Sequence, residues 1–265
     1  MEDNQNGIRI NKYMSDAGIC SRREADRLVE VGLVRIDGEP AAVGSRVLPG
    51  QKVTVKGREA ENGRREDKVV LAFHKPKGVE CTSDRTNPDN IIDYIHYDKR
   101  IYTVGRLDKN SSGLILLTND GELANQIAKA GEFHEKEYLV RVNEPITEEF
   151  LRRMSSGVPI LGKTTAPCRI WQLSDNLFRI VLIQGMNRQI RRMCEYLGYK
   201  VVSLKRVRVM NIVLGDLPRG EYREVTPQEL TELRRLLSLP GRGRFADPRK
   251  TTPLPRPVKP KLTDK

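Results

Sequence analysis

Two apolar runs, Ile101-Tyr102-Thr103-Val104 and Leu114-Ile115-Leu116-Leu117, bracket a polar stretch that carries Arg106, Leu107, Asp108, Lys109 and Asn110. A loop held between two strands presents its side chains from a rigid base, which is how catalytic groups are often carried. Asp108 is the member of this loop able to attack an electrophilic carbon or accept a proton. On residue type alone, an Asp beside Arg106 and Lys109 in a loop is usually a surface ion pair.

Three other segments carry candidate groups. In Gln184-Gly185-Met186-Asn187-Arg188-Gln189-Ile190-Arg191-Arg192-Met193, helical spacing gathers Ile190, Met193, Cys194 and Leu197 into one stripe. Arg191 lies closest to that stripe and is placed to enter a pocket. Arg188 and Arg192 point away, as on a helix laid on RNA or on solvent. Lys136-Glu137-Tyr138-Leu139-Val140 alternates as a strand in which Tyr138 is a site residue or ordinary core. His74-Lys75-Pro76-Lys77-Gly78 closes an apolar run with a basic turn. Lys75 and Lys77 there suit phosphate contact, unless Pro76 and Gly78 merely shape the backbone and the lysines stay in solvent.

Several chemistries find no support. Cys20, Cys81, Cys168 and Cys194 are far apart, with no C-x-x-C pair, and His74, His96 and His134 are equally scattered. Free, mostly buried thiols are expected, with no metal site and no Ser-His-Asp constellation. No run of about eighteen apolar residues exists to span a bilayer. The start, Met1-Glu2-Asp3-Asn4, lacks the basic and apolar regions of a secretory signal, so a cytoplasmic protein is expected. The net charge of +12 and pI near 9.6 point to a polyanionic partner. Half of that charge is local: residues 239 to 265 hold eight Lys or Arg against two Asp, 8 − 2 = +6.

The elements that position these groups fall into blocks. Ile10, Tyr13, Met14 and Ala17 form a helical stripe, and Ser21 with Glu24 forms a capping box for a second helix whose apolar face is Ala25, Leu28 and Val29. Arg22, Arg23 and Arg27 lie off that face and, with Lys12, face either a phosphate backbone or solvent. Two short strands follow around Asp37-Gly38 and Pro49-Gly50. The polar stretch from Lys56 to Lys68 reads as a linker. From Val69 on, strands and helices mix without regular alternation, which predicts an α+β fold with a mainly antiparallel mixed sheet. Beyond about Pro240 the chain is Pro-rich and basic, a composition that cannot bury a core. The expected division is 1–58, a linker at 59–68, a large domain at 69–240 and a disordered tail at 241–265.

The N-terminal block, with Arg9-Ile-Asn-Lys-Tyr13, Ala17-Gly18-Ile-Cys-Ser21-Arg22-Arg23-Glu-Ala25 and Asp37-Gly38, resembles the S-four RNA-binding domain. Gly105-Arg106-Leu107-Asp108, followed by Ser112-Gly113-Leu-Ile-Leu-Leu-Thr-Asn-Asp120-Gly121, is similar to the catalytic signature of the pseudouridine synthases that act on ribosomal RNA. His74-Lys75-Pro76-Lys77-Gly78 resembles the same family's Asn-Lys-Pro-x-Gly motif, with His74 in place of Asn. The segments around Met186, Arg208-Val209-Met210-Asn211-Ile212 and Gly220-Glu221-Tyr222-Arg223 look most like the F-type branch of the large-subunit enzymes.

The resemblance implies the isomerisation of uridine to pseudouridine without a redox change, so no cofactor and no metal are expected. It implies Asp108 as the catalytic carboxylate, Tyr138 as the ring that stacks on the base and assists proton transfer, and Arg191 as the arginine that keeps the carboxylate ionised. It implies RNA contact for Lys12, Arg22, Arg23, Arg27, Lys75, Lys77, Arg106, Arg188 and Arg192. The expected partner is large-subunit ribosomal RNA, with transfer RNA also open, bound by a monomer. A non-catalytic RNA-binding or ribosome-assembly factor is the competing reading. Binding alone, however, does not require Asp108, Tyr138 and Arg191 together.

Overall fold

The computed structural model describes residues 7–60, 67–128 and 134–239. Most of the expected linker (61–66) and the expected tail (241–265) lie outside them. The described residues gather into two compact units: one runs to Ala128 and includes Leu214–Leu230, and the other runs from 134 to Val213 and continues from Thr231.

The first unit opens with helices α1 (Ile10–Asp16) and α2 (Arg22–Glu30). Ser21 Oγ accepts a hydrogen bond from Glu24 N at 3.1 Å, so one arm of the expected capping box starts α2. Strands β1 (Val34–Ile36) and β2 (Val53–Val55) pair antiparallel, Val34 opposite Val55. Asp37 and Gly38 turn the chain with φ of 50° and 88°, a left-handed pair that suits a tight hairpin. Ile10, Met14, Ala25, Val34 and Val53 are fully buried beneath.

In the same unit, β3 (Val70–Lys75) is buried at every position. Helix α3 (Ile91–Ile95) follows, capped by Asn90 Oδ1, which accepts from Asp93 N at 2.8 Å. Strands β4 (Tyr102–Val104) and β5 (Ser112–Thr118) then form a hairpin whose connecting loop carries Asp108. β5 also pairs with β3, Lys75 opposite Gly113, and Tyr222–Glu224 adds to the other edge of β3. Helix α4 (Gly121–Ala128) ends this stretch.

In the second unit, β6 (Lys136–Val142) is a central strand. Helix α5 (Glu148–Ser156) lies beyond it, capped by Thr147. Next come β7 (Arg169–Ser174), β8 (Leu177–Leu182), α6 (Gln189–Tyr196), β9 (Val201–Val209) and α7 (Pro227–Ser238). The sheet order β7-β8-β6-β9 is antiparallel throughout. Phe150, Met154, Phe178, Ile180, Met193 and Cys194 fill the core between sheet and helices, with the Phe150 and Phe178 rings 5.5 Å apart. The chain is thus α+β with antiparallel sheets, as its irregular alternation predicts. No helix among the described residues is long and apolar enough to cross a membrane.

Candidate active site

In the first unit, Asp108 is half-buried in the loop between β4 and β5. The loop is pinned on both sides of it. Gly105 turns the chain with φ of 70° as β4 ends. Leu107 then dives into the core, 7% exposed, and its N–H donates to Cys81 Sγ at 3.4 Å. After Asp108, Ser111 N donates to the Asp108 carbonyl at 2.9 Å, closing a turn. Gly78 N donates to the Lys109 carbonyl at 2.9 Å, and Lys109 Nζ reaches Asp89 Oδ2 at 2.6 Å. A side chain fixed through its neighbours' backbone loses little entropy when it meets substrate.

The structure corrects the expectation for Lys75. It is fully buried, and its ammonium donates to the carbonyls of Pro76 (2.8 Å), Val79 (2.6 Å) and Lys109 (3.4 Å). An ammonium committed to three carbonyls in a dry interior does not face a phosphate. It ties the turn after β3 to the loop that carries Asp108. Lys77 and Arg106 are exposed, as phosphate contact requires. Arg22, Arg23 and Arg27 are also exposed along α2. Lys12 is engaged: its Nζ lies 2.6 Å from Glu122 Oε1 on α4.

In the second unit, Tyr138 is half-buried on β6, opposite Ile180 of β8 and Arg206 of β9. Its ring packs on the core that also holds Ile190, Met193 and Cys194 of α6. Opposite the step from Glu137 to Tyr138, β9 bulges by one residue, Val207, a device that re-aims neighbouring side chains. Arg191 is half-buried on α6, with Nη1 3.4 Å from the Val201 carbonyl. Burial pushes the Cys194 thiol up to about 12 against the opposing charge of Arg191, so it stays protonated. Arg188 is exposed in a left-handed conformation at the start of α6, and Arg192 folds back onto the Asn187 carbonyl at 3.1 Å.

Sequence reasoning missed the ionic lattice beneath Tyr138. Glu137, 5% exposed, accepts from Arg208 Nε at 2.8 Å and lies 3.3 Å from Arg179 Nε. Glu135 bridges Arg208 and Arg169. These pairs lock β6 to its neighbours. Alternation of acid and base along β6 was the available signal, but it reads equally as a solvated edge.

Lys136, two residues from Tyr138 and on the same face, donates to the His134 carbonyl at 3.0 Å. Burial, and then the charge of Arg206, lower its pKa from 10.5 to about 8. The unfolded chain therefore holds a proton that the folded chain has lost between pH 8 and 10.5. Stability from this group rises with pH across that window, and the full cost is present below it. Lys136→Met should raise Tm at pH 7 by several degrees, and the gap to wild type should shrink as pH is raised to 10 in a thermal melt. A gap independent of pH would show that Lys136 is not a suppressed cation.

Comparison with known proteins identifies the family. A family model described as RNA pseudouridylate synthase matches residues 69–196, and one described as S4 domain matches residues 8–53. The chain is 50% identical to the dual-specificity RNA pseudouridine synthase RluF of Salmonella typhi, over 94% of this chain and 88% of that one. It is 34% identical to the ribosomal large subunit pseudouridine synthase B of Bacillus subtilis, over 86% of this chain and 96% of that one. A solved structure titled as that of a pseudouridylate synthase superposes with a TM-score of 0.62 at 27% identity, covering 87% of this chain and 100% of that one. With a family model spanning the Asp108 loop, Tyr138 and Arg191, and half of the aligned residues shared with RluF of Salmonella typhi, the chain belongs to the RNA pseudouridine synthases and isomerises uridine in RNA to pseudouridine.

Proposed function

We propose that the RNA is large-subunit ribosomal RNA, with transfer RNA as a second substrate, and that the protein works as a cytoplasmic monomer without a cofactor. In this reading, residues 1–58 are the RNA-binding domain, 59–68 the linker, 69–240 the catalytic domain and 241–265 a basic tail. Asp108 is the catalytic carboxylate. Uracil leaves ribose carbon one, turns and rejoins through its carbon five. Asp108 assists by attacking covalently or by removing the ribose carbon-two proton. Tyr138 stacks on the extruded base, a role that suits a half-buried ring on a locked strand. Arg191 favours the ionised form of the carboxylate. Arg22, Arg23, Arg27, Lys77, Arg106 and Arg188 meet the backbone of the RNA.

The observation that carries this reading is the half-buried Asp108 held by Leu107 on one side and Lys109 on the other, within the family's motif. The ribosomal and transfer RNA assignment is supported by the likeness to enzymes named dual-specificity and large-subunit synthases. Incubation with unmodified ribosomal and transfer RNA, followed by carbodiimide-dependent reverse-transcription stops, tests it. A new stop in large-subunit RNA is expected. Stops in transfer RNA alone would overturn the ribosomal assignment.

A further inference from the structure

A cavity of about 360 Å³ opens beside the Asp108 loop, lined by Thr82, Ser83, Ile92, Tyr102 and Arg106 among others. We infer that it takes one unstacked nucleotide of the RNA strand, next to or one removed from the uridine that reacts. This inference rests on the reading of the chain as an RNA pseudouridine synthase.

Size and composition both fit. Small-ligand pockets run from ~300 to 1,000 Å³ and combine apolar walls with a few polar groups, so the cavity has room for a single base with its sugar and not for a helix. Ile92 and Tyr102 supply apolar surface for a base face. The hydroxyls of Thr82 and Ser83 each donate and accept, which suits a base edge without demanding one identity. Arg106 supplies an always-charged guanidinium for the attached phosphate.

Position relates the occupant to the target. Arg106 lies two residues before Asp108, and two residues span at most ~7 Å of chain. The occupant is therefore held within a nucleotide or two of the one at Asp108. The wall is also tied to the catalytic loop, because Leu107 N donates to Cys81 Sγ and Cys81 lines the cavity.

Tyr102, on the wall of the cavity, also neighbours helices α1 and α2. Asp16 and Arg22, at the end of α1 and the start of α2, lie within electrostatic reach of the Tyr102 hydroxyl, which burial pushes up to about 12. Arg100 Nη1 lies 3.2 Å from Ser15 Oγ, and Lys12 pairs with Glu122. A strand gripped by Arg22 therefore passes Tyr102, enters the cavity and leaves past Arg106 towards Asp108. Stacking in the cavity offsets part of the cost of unstacking the target.

The test uses ribosomal stem-loops in which each of the two nucleotides on either side of the target uridine is made abasic in turn. Binding is read as Kd by filter retention, without turnover. For the wild type, one abasic position should weaken binding roughly tenfold. Ser83 is exposed, and Ser83→Trp, which fills the cavity from its exposed rim, should weaken binding of the intact RNA by a similar factor. It should also become indifferent to the abasic substitution, while Ser83→Ala, which removes one hydroxyl and leaves the space open, should lose no more than about threefold and keep its sensitivity to the abasic substitution. Additive losses, or no abasic position that matters, overturn the inference. So does displacement of the effect by millimolar free adenosine monophosphate, which would mark a free-nucleotide site. Should Ser83→Trp fail to fold by circular dichroism, Ser83→Glu, which repels the phosphate, is read in the same way. A protein that binds with this pattern yet forms no product would sink the isomerase reading and leave the cavity assignment standing.

Discussion

Asp108→Asn eliminates pseudouridine formation, with kcat falling below roughly 10⁻³ of wild type, while affinity for the RNA changes by no more than a few fold. The substitution keeps the shape of the side chain and removes its ability to attack or to take a proton. The loop should not move. Among its fixed points are the Leu107 amide on Cys81, the Ser111 amide on the Asp108 carbonyl and the Lys109 carbonyl beneath Gly78, which the substitution leaves in place. Loss of one negative charge beside a polyanion should if anything tighten binding slightly. Single-turnover assays with saturating enzyme separate the two effects, because the chemical step is then read free of capture. Turnover within tenfold of wild type would remove Asp108 from the mechanism, and a matching loss of affinity would mean that the carboxylate is structural.

How far the site was legible depended on whether its contacts are local. The Asp108 loop lies between two apolar strands in one continuous stretch, so periodicity and motif pointed to it together. The stripe of Ile190, Met193 and Cys194 likewise turned Arg191 towards the core side of α6, where it is half-buried. Strand β9 escaped, although it pairs with β6 along its length. Lys205, Arg206 and Arg208 interrupt its apolar alternation, and Arg206 is only 3% exposed. Arg208, half-buried two residues on, is matched by Glu135 and Glu137, partners about seventy residues away in sequence. Helix α3 is too short for helical periodicity to mark it, and its start depends on the cap by Asn90, 1% exposed. Residue type misled most at Lys75, because a lysine is almost never fully buried unless its charge finds partners.

Lys75→Met should therefore behave as a core defect and not as a lost RNA contact. Methionine keeps the length of the aliphatic stem but leaves the carbonyls of Pro76 and Val79 without their donor, 2.8 and 2.6 Å away in the native protein. Each unsatisfied buried acceptor costs ~1–3 kcal/mol, so a loss of about 3 kcal/mol is expected. Tm should fall by roughly 6–12 °C. The Lys109 carbonyl loses its ammonium too, which frees one anchor of the Asp108 loop, so kcat should fall more than RNA affinity. The salt dependence of binding separates this from phosphate contact. A lysine on a phosphate contributes ~0.7–0.9 to the slope of log K against log salt. Lys75→Met should leave that slope unchanged. Lys77→Met, at the exposed neighbour, should lower it by about that amount and leave Tm within a degree or two. The reverse pattern, with a stable Lys75→Met protein of shallower slope, would return Lys75 to the RNA groove and mean that substrate draws the ammonium out of its carbonyl cage.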